Sequence, residues 1–337
     1  MPFAILAAAP ALSAVFCWAL IHMAPKDAPD GGRKDQPAPV PTSGGLAIAA
    51  SLFAALALKA IWPAGSTQMG LEPGLVAAFS LCLFVLILGA LDDARPVSTP
   101  LKFGSLAMAA IVAACFGVRA ETVFFPIADS TLVLPAVLAI GGTALWIFVY
   151  MNALNFMDGS NGLAVGCATL QMFTLAIAFG PGTIWQDVSL LAGLSCIGFL
   201  AWNLPGKLFA GDAGALFLGA AFATLGLVAA RGGNIWFPAT LALPILIDVF
   251  LTLAWRARAG LNLLEAHRDH AYQTLRRSGW GHLQTAILWW SLSLICCTFG
   301  LWAYGLSKSA SFWVFAGLLT AGTLLWFWNR RRLSQTV

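Results

Sequence analysis

The chain has 337 residues, of which 60% are hydrophobic and 9% charged, with a net charge of +4. A soluble domain of this size carries charge on about a quarter of its residues, so a soluble globular enzyme is excluded. No nucleic-acid partner is expected.

The apolar residues fall in blocks of about 17–22, the length that crosses a hydrocarbon core of ~30 Å as a helix. Backbone groups in lipid must be satisfied internally, so these blocks predict helices, and the short alternating segments of a membrane barrel do not occur. The expected fold is all-α: one polytopic membrane bundle covering 1–337. About eleven spans are predicted, near 3–23, 45–63, 73–91, 101–118, 133–151, 161–180, 186–202, 212–230, 236–255, 284–305 and 311–329. The first block, interrupted only by Pro10, has no basic stretch before it and reads as a spanning helix, not a cleaved signal peptide. The seven cysteines lie nearly all inside apolar blocks, without zinc-ligand spacing, and read as packing residues.

Of the 18 Lys and Arg, 14 lie in the tail and in the loops after odd-numbered spans, and Lys59, Arg119, Arg231 and Lys308 lie opposite. Basic loops stay inside, so the N-terminus is expected outside and the C-terminus in the cytoplasm. The same sorting gathers most acids on the cytoplasmic side, where a carrier would place them near the midplane.

Five polar segments then stand out in order. The first loop carries Arg33-Lys34 and Pro41-Thr42-Ser43-Gly44-Gly45, by itself a Pro/Gly-rich turn. Asp92 and Asp93 close the third span and Lys102 opens the fourth; adjacent carboxylates there need a compensating cation, with an interfacial charge pair as the plainer reading. In Asn152–Gly162, a helix would place Asn155, Asp158 and Asn161 on one face suited to ribose, base or sugar hydroxyls, with Gly159 and Gly162 allowing close approach of a ligand. The alternative is a polar helix-capping turn. Asp212 stands at the start of span eight between Gly211 and Gly214, as a cap or as a metal and pyrophosphate site. The long loop 256–283 carries His267, Arg268, Asp269 and His270, a cluster that suits a diphosphate or an anionic lipid surface. Asp248 lies within span nine, compatible with a supporting role beside the site. Arg330-Arg331-Arg332 reads as a topology anchor.

PTSGG at 41–45, the Asp pair at 92–93 with Lys102, NALNFMDGSNGLA at 152–164, KLFAGDAGALFLG at 207–219 and HRDHAYQ at 267–273 together resemble the polyprenyl-phosphate N-acetylhexosamine-1-phosphate transferase family. The resemblance implies a bundle of ten or eleven helices with a cytoplasmic cleft in a bacterial inner membrane. It also implies transfer of a sugar-1-phosphate from a UDP-amino sugar to undecaprenyl phosphate, with release of UMP and with Mg²⁺ (or Mn²⁺) as cofactor. By resemblance Asp212 holds the metal, with Asp92 a further candidate ligand. Asp92 and Asp93 serve the lipid phosphate, Asp92 as base or, in a two-step scheme, Asp93 as nucleophile. Lys102, Asn155, Asp158, Gly159, Asn161, Asn203 and Phe209 line the nucleotide side, and His267, Arg268 and His270 hold the diphosphate. HRDHAYQ looks like the branch that starts O-antigen or other surface polysaccharides. Ala215 and Asn161 depart from residues common in the family, which bears on the donor sugar: UDP-GlcNAc first, then UDP-FucNAc or UDP-QuiNAc. A homodimer is one option for assembly, and a lipid-linked carrier or flippase without catalysis is the rival class.

Overall fold

The structure, a computed structural model, describes residues 1–25, 39–61, 73–263 and 267–333. Arg33 and Lys34 of the first loop lie outside the described residues.

Twelve helices are described: α1 (Phe3–Met23), α2 (Gly44–Ile61), α3 (Pro73–Ala94), α4 (Thr99–Cys115), α5 (Ala136–Phe156), α6 (Leu163–Phe179), α7 (Ile184–Asn203), α8 (Gly211–Ala229), α9 (Trp236–Arg258), α10 (Ala271–Arg277), α11 (His282–Leu306) and α12 (Lys308–Leu333). Nine of them are long and apolar enough to cross a membrane, and α4 and α6 are shorter apolar helices. These eleven match the predicted spans in number and order. The chain is a multi-pass helical membrane protein.

Helix α8 forms the centre. Its most apolar stretch is 94% buried, against 11% for α12 at the rim, and it packs on α3, α5, α2 and α6. Small residues allow the closeness. A Cβ on Gly45 would lie 2.1 Å from the Gly214 backbone nitrogen, so α2 and α8 touch backbone to backbone where the PTSGG and GDAG segments cross. Bulk at this point would push the two segments apart.

Two features differ from expectation. Between α4 and α5 lies an antiparallel hairpin, β1 (Thr122–Phe125) and β2 (Ser130–Val133). It is held by the Phe124 N–H donating to the Gly233 carbonyl at 2.9 Å and by Trp236 Nε1 donating to the Phe124 carbonyl at 2.9 Å. Strands of four residues are too short for a periodicity reading to register. The second concerns residues 155–161, expected to open a helix. Instead α5 runs to Phe156, and the chain turns before α6 begins after Gly162.

At the end of the bundle away from the polar segments, Lys59 of α2 and Asp187 of α7 form a buried ion pair. A buried charge stripped of its partner is strongly destabilising, whereas a hydrophobic pair of similar volume is tolerated. Asp187→Ala is therefore expected to lower the melting temperature by several degrees in detergent. Adding Lys59→Met should recover most of the loss in the same thermal scan; no recovery would mean that the pair is not what α2 and α7 share.

Candidate active site

The last turns of α3 and α5 and the first turns of α4 and α8 meet at one end of the bundle. Asp92 sits in the last turn of α3, where its Oδ1 accepts from the Val97 N–H at 2.7 Å and closes the short turn into α4. One turn into α4, Lys102 donates from Nζ to Asp92 Oδ2 at 2.8 Å and also pairs with Asp212 Oδ2. Asn155, in the last turn of α5, donates from Nδ2 to Asp212 Oδ1 at 2.7 Å. Both oxygens of Asp212 are thus engaged, one by a cation and one by an amide, and three helices converge on a single carboxylate.

Asp93 does something different from its neighbour. Its two oxygens accept from the backbone N–H groups of Asp212 at 2.9 Å and Ala213 at 3.1 Å. The first N–H groups of a helix have no partner inside it, and a carboxylate there gains from the helix dipole as well. Asp93 therefore caps α8 from another helix. Gly211, at φ +69°, makes the turn into α8 that permits this, and a Cβ there would lie 2.0 Å from the Thr42 carbonyl oxygen. The PTSGG segment is fastened to the same turn: Gly44 N–H to the Phe209 carbonyl, Gly45 N–H to the Ala210 carbonyl and Phe209 N–H to the Pro41 carbonyl, each at 2.9 Å. Through its backbone, Phe209 belongs to this fastening.

The turn after α5 carries Asp158, Gly159 and Asn161. Burial, and then the fields of Asp212 and Asp93, push the Asp158 carboxyl well above the usual carboxylate range. Asn203 is buried and its amide is taken at both ends by backbone: Oδ1 accepts from Gly162 N–H at 2.6 Å and Nδ2 donates to the Leu208 carbonyl at 2.9 Å. It is a tie between the start of α6 and the loop leading to Asp212.

The 267–270 segment docks on the turn that holds Asp158. Tyr272 donates from Oη to the Phe156 carbonyl at 3.1 Å and would meet a Cβ on Gly159 at 2.2 Å; the His270 ring stacks on Phe156 and Tyr272 at 6.2 and 6.1 Å. Asp248 of α9 accepts from the N–H groups of Ala271 at 2.7 Å and Tyr272 at 3.3 Å, capping α10 across helices as Asp93 caps α8. Arg256 pairs with the Asp269 carboxylate. Burial, then the charges of His270 and Arg256, lower His267 to about 4, so its imidazole is neutral at physiological pH. Two buried polar atoms, Arg268 Nη2 and His270 Nδ1, have no hydrogen-bond partner among the described residues. His270 Nδ1 faces the Asp248 carboxylate at 3.7 Å, within ion-pair distance, whereas Arg268 Nη2 has no such partner among the described residues. Orphaned buried donors cost free energy unless something satisfies them, and a phosphate oxygen is suited to do so.

Residues 75–230 match the model of glycosyl transferase family 4. A probable undecaprenyl-phosphate N-acetylglucosaminyl 1-phosphate transferase of Bacillus subtilis (strain 168) is 29% identical over 82% of this chain and 75% of its own length. The decaprenyl-phosphate N-acetylglucosaminephosphotransferase of Mycobacterium leprae (strain TN) is 26% identical over 74% and 70%. The phospho-N-acetylmuramoyl-pentapeptide-transferase of Desulforudis audaxviator (strain MP104C) is 26% identical over 77% and 83%. The matched region contains Asp92, Asp93, Lys102, Asn155, Asp158 and Asp212. The chain is thus similar, over 74–82% of its length, to transferases that act on polyprenyl phosphates or on phospho-N-acetylmuramoyl-pentapeptide.

As a polyprenyl-phosphate sugar-1-phosphate transferase, the protein must handle several phosphate charges at a site that already holds Asp92, Asp93, Asp158 and Asp212 against one lysine. Among the described residues, no three His, Cys, Asp or Glu side chains are placed to enclose a metal ion. Mg²⁺ commonly binds through one or two carboxylates plus substrate phosphates and keeps several waters, and the carboxylates of Asp92 and Asp212 on either side of Lys102 fit that donor set. Asp212, with Asp92 beside it on Lys102, are the residues that would hold the ion.

Sequence reasoning passed over one part of the transferase. His282, at the start of α11, has Nδ1 3.0 Å from Ser160 Oγ and 3.2 Å from the Asn161 backbone nitrogen, with Nε2 2.9 Å from Arg276 Nη2. It ties the turn carrying Asn161 to α10. Its only signal in sequence is a lone histidine before an apolar block.

Proposed function

We propose that the protein transfers an N-acetylhexosamine-1-phosphate from its UDP derivative to undecaprenyl phosphate, releasing UMP and starting a lipid-linked surface polysaccharide. N-acetylglucosamine is the first candidate for the sugar. The observation that carries this reading is the placing of Asp212, between Lys102 and Asn155 at one end of an apolar bundle. There a water-soluble diphosphate and the head of a lipid can meet. The names of the relatives support a polyprenyl phosphate as acceptor and GlcNAc as the sugar. The distribution of Lys and Arg supports a cytoplasmic site in a bacterial inner membrane.

In this reading an oxygen of the lipid phosphate forms a bond to the sugar-side phosphorus of the donor. The bond from that phosphorus to the bridging oxygen breaks, and its electron pair leaves with UMP. Such transfers ask chiefly for alignment and charge stabilisation. Lys102 sets the distance between Asp92 and Asp212 and admits the lipid phosphate beside a cation. Asn155 fixes the rotamer of Asp212. Arg268 presents its unpaired Nη2 to the diphosphate, His270 is steadied beside it by Asp248, and His267 adds a neutral imidazole. Bound Mg²⁺ would neutralise charge on the diphosphate and on the departing UMP. Asp93, with both oxygens committed to α8, favours direct attack by the lipid over a phospho-aspartyl route.

The test is UMP release by purified protein in detergent, with undecaprenyl phosphate and a panel of UDP-GlcNAc, UDP-FucNAc and UDP-QuiNAc. Release is expected only with lipid present. It should vanish with EDTA and return on adding excess Mg²⁺. Folded protein that releases UMP from no donor would favour a carrier of lipid-linked sugars instead.

A further inference from the structure

Helix α12 packs along α9 at the rim. Its basic run 330–332 reads in sequence as an anchor. Arg330 is placed differently from an anchor. Its Nη1 donates to the backbone carbonyl of Asp269 at 2.6 Å. Its guanidinium lies 3.7 Å from the centre of the Trp255 ring and 5.6 Å from that of Trp326. A planar guanidinium stacked on an indole is pre-oriented, so little freedom remains to be lost when it makes a hydrogen bond. The peptide it holds joins the residue after Arg268 to His270; Arg268 Nη2 is buried with no hydrogen-bond partner among the described residues, and the His270 ring is held between Phe156, Tyr272 and Asp248.

The segment is thereby gripped from three sides. Arg330 of α12 holds the Asp269 carbonyl, Arg256 of α9 holds the Asp269 carboxylate, and Asp248 of α9 holds the amides of Ala271 and Tyr272. The Arg256 and Asp248 contacts come from α9, which also carries Trp255, so α9 and α12 together form a rigid bracket around residues 269–272.

We propose that Arg330 is a positioning residue for the sugar-nucleotide donor. It keeps the peptide between Arg268 and His270 at one height, so that the Arg268 guanidinium and the His270 ring meet the same diphosphate. The inference rests on the reading of 267–270 as the diphosphate-binding segment. Arg330 itself need not touch substrate. Its loss acts on the donor and leaves the lipid phosphate, which is handled by Asp92 and Lys102, untouched.

The experiment uses full-length Arg330→Gln and Arg330→Lys in detergent, with steady-state kinetics for UDP-GlcNAc and undecaprenyl phosphate and with amide hydrogen exchange. Loss of one hydrogen bond from a charged donor in a partly buried site is expected to raise the KM for the donor about tenfold in Arg330→Gln. The lipid KM should stay close to that of the unaltered protein. Exchange at 267–273 should speed up by a similar factor while the amides of Asp212 and Ala213 remain protected. Lysine keeps a donor for the carbonyl but loses the flat stack, so Arg330→Lys should recover part of both effects. An unchanged donor KM, or both KM values rising together, would overturn the proposal, as would unchanged exchange at 267–273. If the variant loosens the segment but the unaltered protein transfers no sugar-phosphate from any donor, the diphosphate reading falls and takes the proposal with it.

Discussion

Asp212→Ala is expected to reduce sugar-1-phosphate transfer by about a thousandfold or more, the scale on which loss of a preorganised charge-stabilising group acts. The protein should remain folded. Asp212 is half-buried at the first turn of α8, and its side chain bonds to Lys102 and Asn155 and not to the backbone of the helix, so truncation leaves a small polar gap instead of breaking the helix. Asp212→Asn is the sharper variant. An amide keeps the shape but faces Lys102 without a charge and cannot serve a divalent ion. Both variants should melt within a few degrees of the unaltered protein while UMP release falls to background. Activity retained in Asp212→Asn would shift the metal to Asp92 or Asp158.

The second large effect concerns Asp93. Its oxygens receive two backbone N–H groups from the start of α8, and removing them strands two donors in a partly buried turn. Each unsatisfied donor costs about 1–3 kcal/mol. Asp93→Ala is therefore expected to lower transfer by about a hundredfold through displacement of Asp212, and to lower the melting temperature with it. In Asp93→Asn one oxygen can still cap, so activity should lie between. An enzyme using Asp93 as nucleophile behaves otherwise: Asn and Ala are then equally dead, and a labelled phospho-protein accumulates when donor is supplied without lipid. Detection of that adduct would refute the capping account; its absence, together with the graded activities, supports direct attack.

Most of the fold was legible because lipid removes alternatives. A block of twenty apolar residues in a membrane has to be a helix, so span number and order followed from composition. The hairpin was invisible for the same reason inverted: outside lipid, four-residue strands leave no periodic mark. At the site, Asp92, Lys102, Asn155 and Asp212 were readable as polar residues crowded among glycines at helix ends. The backbone contacts of Asp93 and Asn203 were not, because each spends its side chain on the backbone of a segment far along the chain, and no local spacing encodes such a partner; Asp248 was readable only as a support beside the site. Asp93 and Asp92 are chemically identical neighbours, yet one faces Lys102 and the other holds a helix. His282 escaped notice likewise, and Arg330 was read only as part of an anchor, because the meaning of each lies in the peptide it meets.

The carboxylate of Asp93 and the amide of Asp212 are separated by 119 residues. During synthesis, α3 enters the membrane well before α8 exists, and until then Asp93 sits at the boundary with no helix to hold. Arrival of α8 supplies the amides for Asp93 and, in the same event, brings Asp212 to Lys102. A nascent chain stopped short of α8 therefore exposes acids and a lysine but no assembled carboxylate centre, which forms in one step when α8 arrives, before the 267–270 segment and its bracket of α9 and α12 are added.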